Sequence, residues 1–269
     1  MWYNASRVAS TGSPASDRVI DDPHAGHLVQ MYGKDPAPLV RSVGRYLADG
    51  LAAGEGAVAI ATERHRDAFL GELQALGADP AAAQRDGRLV VLDAHETLAR
   101  FVVDGQPDRE LFEAAVHPVL SALSARCPLG VRAYGEMVGV MWEAGQFAAA
   151  IRLEEFWNAL LLGGGFRLFC AYPIDVCGDG FTSADVDAVM SAHTHVVPTG
   201  AELEPALDRA MQDVLGTSGD ALRPLMDADC RPSWAELPRA EATILWLRDN
   251  VPSLTGAILT RTREYAQLG

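Results

Sequence analysis

Six side chains that could form a binding site fall at or just after the ends of predicted strands. If those strands are parallel, their carboxyl ends meet at one edge of a sheet, where α/β proteins bind ligands. Small-molecule pockets combine apolar walls with a few fixed polar groups, and this mixture of acidic and aromatic residues fits that description. The residues expected on this rim are Tyr32, Glu63, Asp93, Glu136, Trp142 and Tyr172.

Glu136 is the candidate with the clearest chemistry. It closes a predicted buried strand over residues 130–137. A carboxylate there can accept a proton or a hydrogen bond from a ligand; alternatively, it pairs with Arg132 or Arg64. Desolvating a carboxylate is costly, which favours a functional role for it.

The turn after the first predicted strand superficially resembles a phosphate-binding loop. Gly33 and Lys34 match the GK pair of such a loop, but Asp35 stands where Ser or Thr should hold Mg²⁺. Pro36 and Pro38 remove two of the backbone N–H donors that would surround a phosphate. The turn is therefore interpreted as a degenerate phosphate site, and the chain is not expected to be an enzyme.

Histidines and cysteines give no metal motif. His193 and His195 form an H-x-H pair, but no third ligand is evident near them, so neither a metal nor another cofactor is predicted. His193 is instead expected to cap the carboxyl end of a helix. Buried free thiols in a reducing cytoplasm are the favoured interpretation of the four cysteines, Cys127, Cys170, Cys177 and Cys230.

The position of a residue along its predicted strand indicates whether it is structural or could bind a ligand. His27 opens the first predicted strand, at the opposite end from Tyr32, so a role in holding the sheet or the N-terminal leader is favoured over ligand contact. Cys170 and Tyr172 alternate along another strand and therefore point to one face. Core packing is expected for Cys170, whereas Tyr172 is placed to reach the pocket.

Strands and helices alternate over most of the chain. The segment 27–64 reads as strand, turn, helix and strand, which makes parallel pairing the default. The fold class is therefore α/β, a mainly parallel sheet with helices on both faces and a helical C-terminal appendage. Further strands are predicted at 88–93, 130–137, 166–172 and 196–198, and tail helices at 202–215, 234–250 and 253–267. The predicted organisation is a flexible leader (1–25), a central domain (26–200) and a helical extension (201–269).

Composition excludes several classes of partner. The 269-residue chain has a net charge of −14 and should repel nucleic acid. It has no apolar run of about 20 residues that would span a membrane. Its first residues lack the apolar core of a secretory signal, so a cytoplasmic location is expected.

The order of these motifs resembles a known family over about residues 26–200. It is similar to the MEDS group, the DcmR-type sensory domain of methylotrophs and methanogens, within the RecA/KaiC-like ATPase fold. The residues that carry the resemblance are His27 with Tyr32, the connector GLAAGEGAV, Arg132 with Gly135–Glu136–Met137 and Trp142, Cys170 with Tyr172, and His193.

The resemblance implies a sensor whose phosphate site is lost. KaiC-type cores carry an acidic pair after the second strand, whereas Glu63 is followed here by Arg64. The predicted function is a non-catalytic sensor of a small organic ligand, a hydrocarbon derivative or one-carbon compound. Its partner would be a regulator or kinase protein in transcription regulation. The predicted ligand-binding residues are Tyr32, Glu63, Arg132, Glu136, Trp142, Tyr172, His27 and His193. Two alternatives remain: a KaiC-like nucleotide-binding protein or weak ATPase, and a homo-oligomeric interaction scaffold.

Overall fold

A computed structural model describes residues 15–266 except for 23, 25, 180, 201, 217, 218, 220, 221, 223 and 227–236. The strands are β1 (His27–Met31), β2 (Gly56–Ala61), β3 (Leu89–Asp93), β4 (Val102–Val103), β5 (Gln106–Pro107), β6 (Val131–Gly135), β7 (Phe166–Tyr172) and β8 (His195–Val197). The helices are α1 (Ala15–Ile20), α2 (Ala37–Ala52), α3 (Glu63–Ala75), α4 (Pro80–Arg85), α5 (Ala94–Leu98), α6 (Arg109–Arg126), α7 (Met137–Glu143), α8 (Phe147–Leu161), α9 (Ser183–Ser191), α10 (Leu203–Leu215), α11 (Arg239–Asn250) and α12 (Pro252–Ala266).

A parallel sheet organises the chain. Its six strands lie in the order β3-β2-β6-β7-β1-β8, and each neighbouring pair is parallel. In the register of β1 with β7, His27 lies opposite Leu168 and Val29 opposite Cys170. The predicted fold class is confirmed: the sheet is parallel, helices lie on both faces, and the C-terminal region is helical.

The two faces of the sheet support separate hydrophobic clusters. Leu28 packs on the face covered by α2 and α3, whereas Val29 and Met31 pack on the opposite face. In β7, Cys170 and Tyr172 lie on that second face, covered by α6, α7 and α8, as their alternation predicts. In β1 and β7, every second side chain therefore points to this second face, and the side chains between them point to the face covered by α2 and α3.

The helices that flank this face have clear local start and stop signals. Thr182 caps α9 in a capping box with Asp185, because each side chain accepts from the other residue's backbone N–H. Helix α8 ends at Leu161, just before the predicted glycine stop. In the described part of the chain, no helix combines the length and apolar character that a membrane span requires.

Three short elements differ from the sequence prediction. The polar turn after α3 contains α4, whose first turn is capped by Asp79. Leu98, Phe101 and Val102 predict a short helix that stops at Gly105, but the helix, α5, lies earlier and ends at Leu98, and a β4–β5 hairpin follows it. The strand predicted to reach Met137 ends at Gly135, and Met137 begins α7. Each missed element is too short to show a hydrophobic period of its own.

Both ends of the described chain pack on the central domain. In the described part of the segment predicted as a leader, α1 buries Ile20 on the α2 face of the sheet. The tail helices α10, α11 and α12 end close to their predicted bounds. Their apolar residues, Leu207 and Ile258 among them, join the core of the second face. Cys230 and Trp234 lie outside the described residues.

Glu241 fixes α11 to the edge of the sheet. Its side chain is 2% exposed, and Oε1 accepts a hydrogen bond from the backbone N–H of Thr199 at 2.9 Å. Burial raises the pKa of the Glu241 carboxyl above its ordinary value of 4.5, because the charged form loses its hydration. The folded chain therefore binds this proton more tightly than the unfolded chain does.

We expect the contribution of the Glu241 carboxyl group to the free energy of unfolding to decrease as pH rises. Its contribution is fully favourable below its unfolded pKa and is lost as pH increases through the raised folded pKa. Glu241→Gln should remove that part of the pH dependence of the free energy of unfolding, measured by urea denaturation across the acidic to neutral range. Exposed Glu264, paired with Arg261, provides the control Glu264→Gln. Identical pH profiles for Glu241→Gln and the unmodified chain would contradict the expectation.

Candidate functional site

The turn between β1 and α2 contains Gly33, Lys34 and Asp35, the residues interpreted from sequence as a degenerate phosphate site. Asp35 Oδ1 accepts a hydrogen bond from the backbone N–H of Ala37 at 2.9 Å, so a carboxylate already occupies the first turn of α2. The cavity beside this turn is lined by Gly33 and Lys34 together with Arg263 of the tail, and measures about 110 Å³. Both the local negative charge and the small volume disfavour a triphosphate here.

Glu136 is buried at the carboxyl end of β6, and its carboxylate is fully engaged. It accepts hydrogen bonds from the backbone N–H of Thr62 at 2.8 Å and from His65 Nδ1 at 2.5 Å. The ring of Tyr32 packs against the ring of His65, with centroids 5.5 Å apart. The partners of Glu136 thus come from the start of α3, and this cluster ties α3 to β6.

Arg132, predicted as a ligand-binding residue and as a possible partner of Glu136, lies away from the carboxyl edge of the sheet. As the second residue of β6, it lies near the amino end of the strand, where its Nε donates to Glu55 Oε2 at 2.5 Å. Its guanidinium also donates to the Tyr46 carbonyl at 2.8 Å. Pairing of Arg132 with Glu136 is therefore corrected, because the length of the strand separates the two side chains.

Glu63 and Asp93 do meet, but at a different cavity. They line a polar space of about 380 Å³ at the ends of β2 and β3, together with Arg66 and Arg100. The Glu63 side chain is 82% exposed, and Asp93 Oδ1 caps α5. The predicted rim is therefore divided into separate places along the carboxyl edge.

A buried polar cluster lies on the second face of the sheet. It comprises His27, Glu154, Cys170 and His193, named the inner cluster below, and each residue is at most 2% exposed. Their donor atoms all lie within 4.8 Å of one another. β1, α8, β7 and the segment after α9 each contribute one residue.

The two imidazoles are held in defined tautomers. His193 Nδ1 lies 2.7 Å from the Val189 carbonyl oxygen, which can only accept, so Nδ1 carries the proton. His27 Nδ1 lies 2.9 Å from Asn158 Oδ1, and Asn158 Nδ2 donates to the Ala192 carbonyl, so His27 Nδ1 is also the donor. Nε2 of each ring therefore faces Glu154 in the middle of the cluster.

The electrostatics of the cluster centre on Glu154. Tyr172 donates its hydroxyl to Glu154 Oε1 at 2.8 Å, and Cys170 Sγ lies 3.6 Å from Oε2. Burial alone would raise the pKa of the Glu154 carboxyl, but His193 and His27 hold that pKa below its ordinary value. Burial, followed by the nearby Glu154 charge, raises the pKa of both the Cys170 thiol and the Tyr172 phenol. Both groups therefore stay protonated and donate to the carboxylate.

This arrangement corrects the sequence-based view of the H-x-H pair. His193 does have further potential ligands nearby, whereas His195 points elsewhere and lies 3.6 Å from Asp22. His27, for which a structural role was favoured, belongs to the inner cluster. Tyr172, which was expected to reach the pocket, lies beside the cluster and donates to Glu154. Cys127, Cys170 and Cys177 are buried free thiols, as expected.

An open pocket of about 650 Å³ lies next to the inner cluster, within the size range of small-molecule sites. It lies between the starts of α6, α8 and α9 and the end of α7. Its aromatic and aliphatic walls include Trp142, Phe147, Ile151 and Phe156, and charged side chains at its border are Arg109, Arg152, Glu155 and Asp185. Of the predicted ligand-binding residues, Trp142 lines this pocket.

Trp142 connects the pocket to the inner cluster. Its ring is perpendicular to that of Tyr172, with centroids 5.1 Å apart, and Tyr172 in turn donates to Glu154. Phe147 packs on the pocket side of Trp142, with ring centroids 4.6 Å apart. A molecule in the pocket would therefore be two side chains away from the buried carboxylate.

Sequence analysis missed Glu154 as a candidate residue. Its signal is positional: Ala150, Glu154 and Trp157 follow the i, i+4, i+7 spacing of the buried face of α8. A carboxylate in such a stripe needs a buried partner. Adjacent Glu155 is exposed, so the doublet itself gives no indication of which acid is important.

The fold and these sites define an α/β domain with a parallel sheet, a buried polar cluster and a neighbouring open pocket. The family model of the methanogen/methylotroph, DcmR sensory domain (MEDS) matches residues 26–194, more than half of the chain. The chain belongs to the MEDS family. No curated protein matches it significantly.

Proposed function

We propose that this chain is a non-catalytic sensor that binds a small organic molecule in the pocket beside Trp142. Membership of a sensory-domain family supports a signalling role. The observation that carries the location is the 650 Å³ pocket itself, with Trp142 in its wall and in contact with Tyr172. We propose the cytoplasm as its location, where reduced thiols such as Cys170 persist.

The lining of the pocket supports a ligand with an apolar body and a polar group. Trp142, Phe147 and Ile151 offer apolar contact, while Arg152 and Glu155 place opposite charges at the border. A hydrocarbon derivative of few carbons matches this combination. This assignment moves the ligand away from the Tyr32–Glu136 edge, because Glu136 already accepts hydrogen bonds from Thr62 and His65.

Contacts between α9 and the tail supply a route for the signal. Asp185 lines the pocket from the first turn of α9, and neighbouring Ser183 donates to Asp249 of α11 at 2.8 Å. Arg263 of α12 pairs with Asp175, in the segment before α9, at 2.9 Å. A ligand that binds one tail arrangement better than another shifts the population between them. The tail would then present the change to a partner regulator or kinase.

The alternatives have weaker support. A nucleotide-binding role, with the RecA/KaiC-like ancestry that the sequence suggests, has in its favour the strand–turn–helix unit of β1 and α2. Against it, Asp35 occupies the helix start and the adjoining cavity is only about 110 Å³. A pure interaction scaffold would not need a pocket of ligand size.

Thermal unfolding of the full chain tests the proposal. The probes are methanol, methylamine and short chloroalkanes, with ATP–Mg²⁺ as a separate arm, followed by calorimetry on any compound that raises the unfolding temperature. We expect stabilisation by at least one of the organic probes, since a ligand that binds only the folded state stabilises it by mass action. A shift with ATP–Mg²⁺ alone would overturn the sensor proposal in favour of nucleotide binding.

Phe147→Ala should weaken binding of the active probe by about tenfold or more, equivalent to about 1.4 kcal/mol of lost contact. Phe147 is 43% exposed, so its truncation should change the pocket without unfolding the core. Leu111→Ala is the matched control, because Leu111 is equally exposed on α6 and is not among the residues lining the pocket. Calorimetry measures both variants, and equal affinities would place the ligand elsewhere.

A further inference from the structure

We propose that the inner cluster is a metal site of the zinc class, with His27 Nε2, His193 Nε2, Cys170 Sγ and a Glu154 oxygen as its four ligands. These donor types suit Zn²⁺, which binds imidazole nitrogen, thiolate and carboxylate in a tetrahedron. The inference is independent of the pocket ligand, because it concerns buried groups that the proposed sensor function does not require.

The spacing of the donor atoms fits a tetrahedral ion. Zinc bonds of about 2.0–2.3 Å separate the ligand atoms of a tetrahedron by about 3.3–3.8 Å. His27 Nε2 lies 3.4 Å from both Cys170 Sγ and Glu154 Oε2. His193 Nε2 lies 3.2 Å from Glu154 Oε1, and Cys170 Sγ lies 3.6 Å from Glu154 Oε2. The three contacts among His27 Nε2, Cys170 Sγ and Glu154 Oε2 match one face of the required tetrahedron. His193 would complete the site from the fourth corner, since one ligand atom from each of the four residues lies within 4.8 Å of the others.

The hydrogen bonds around the cluster match those around bound metals. Metal-ligating histidines usually donate their other ring N–H to a carbonyl or carboxylate, which fixes the tautomer. His193 does so to the Val189 carbonyl, and His27 does so to the Asn158 amide oxygen. Tyr172 orients Glu154 in the same way. These three hydrogen-bond partners together orient the ligand atoms toward the centre of the inner cluster.

His193 provides a second, independent observation. Its side chain is 0% exposed, and within the described residues its Nε2 makes no hydrogen bond although it is aimed into the cluster. A buried nitrogen lone pair without a donor costs free energy. A metal ion at the centre of the cluster supplies the missing partner.

Charge balance also favours a divalent ion. When the ion binds, Cys170 releases its thiol proton to solvent and becomes a thiolate. Two neutral imidazoles, one carboxylate and this thiolate then carry a total charge of −2, which a divalent cation neutralises. A neutral assembly suits a site where all four residues are at most 2% exposed. Four protein ligands leave no open position, so the site would join β1, β7 and α8 rather than activate a water molecule.

Metal reconstitution of the full chain tests this proposal. The chelator-treated protein is titrated separately with Zn²⁺ alone and Co²⁺ alone, and bound metal is measured by elemental analysis. We expect one ion per chain. With Co²⁺, intense visible bands of a four-coordinate ion and a sulfur-to-cobalt charge-transfer band should appear. Cys170→Ser should remove the charge-transfer band, and His193→Gln should weaken binding.

Asn158→Ala keeps the test decisive if a ligand variant fails to fold. It keeps all four ligands but removes the orienting partner of His27, together with the donor to the Ala192 carbonyl, and should weaken metal binding about 10–100-fold. Cys127→Ser and His195→Gln are the matched controls, because these residues are outside the cluster, and both should retain the ion and its spectrum. Failure of the chelator-treated chain to take up stoichiometric Zn²⁺ or Co²⁺ overturns the proposal, as does a charge-transfer band that survives in folded Cys170→Ser. Metal uptake without a response to organic probes, or the reverse, separates this proposal from the sensor proposal.

Discussion

Glu154→Ala should lower the free energy of unfolding of the chelator-treated protein by about 3–5 kcal/mol. The Glu154 side chain is fully buried, and its oxygens lie within 3.4 Å of the imidazole nitrogens of His27 and His193. Tyr172 also donates to it at 2.8 Å. Alanine leaves the Tyr172 hydroxyl and the Cys170 thiol, which both donate to Glu154, facing a space with no acceptor. Each stranded buried polar group costs about 1–3 kcal/mol.

The adjacent residue provides the control for this prediction. Glu155 follows Glu154 on α8 but is exposed, so Glu155→Ala should change the free energy of unfolding by no more than about 0.5 kcal/mol. Glu154→Gln should fall between the two, because its amide oxygen still accepts from Tyr172. Urea denaturation in the presence of chelator measures all three variants. Equal stabilities of Glu154→Ala and Glu155→Ala would show that the cluster contributes nothing to the metal-free fold.

The local part of the fold could be predicted from sequence because its signals are local. The apolar run of β7 and the stripe of α8 gave bounds that agree with the structure to within one residue. The cap at Thr182 depends on a residue only three positions away, Asp185. Short elements such as α4 and the β4–β5 hairpin lack an apolar period and were therefore not predicted.

The inner cluster could not be predicted because its members meet only through the sheet order. His27 and Cys170 become neighbours when β1 pairs with β7, although the chain visits β2, β3 and β6 between them. Glu154 then reaches them from a helix laid across that pair. No spacing rule contains this information, and the H-x-H pair led to His195, which points away.

The rim was predicted in part, for a reason that the strand register makes clear. Strand ends do gather at one edge, and Glu63 and Asp93 share a cavity there. The possible pairing of Arg132 with Glu136 was wrong, because Arg132 lies near the start of β6, at the opposite edge of the sheet. Glu136 was placed correctly, but its partners Thr62 and His65 come from a neighbouring strand end, which sequence periodicity does not reveal.

Gly139→Ala should lower the free energy of unfolding by about 1–3 kcal/mol, because α7 contacts β7 closely at this position. A Cβ at Gly139 would lie 2.6 Å from the Ala171 carbonyl oxygen, inside any normal contact distance. β7 is paired on both sides, with β1 and with β6, so the strand cannot move away. Helix α7 must shift instead, and Trp142 lies on that helix.

Gly71→Ala is the matched control, because a Cβ at Gly71 meets no atom within 4 Å in the exposed part of α3. The same substitution there should stabilise the chain by about 0.5–1 kcal/mol, through the higher helix propensity of alanine. Since a shift of α7 moves Trp142 relative to Tyr172, Gly139→Ala should also change the tryptophan fluorescence of the folded protein and weaken the response to the active organic probe. Stabilisation of Gly139→Ala to the same extent as Gly71→Ala would show that α7 and β7 are further apart than described. The wall between the pocket and the inner cluster would then be open rather than packed.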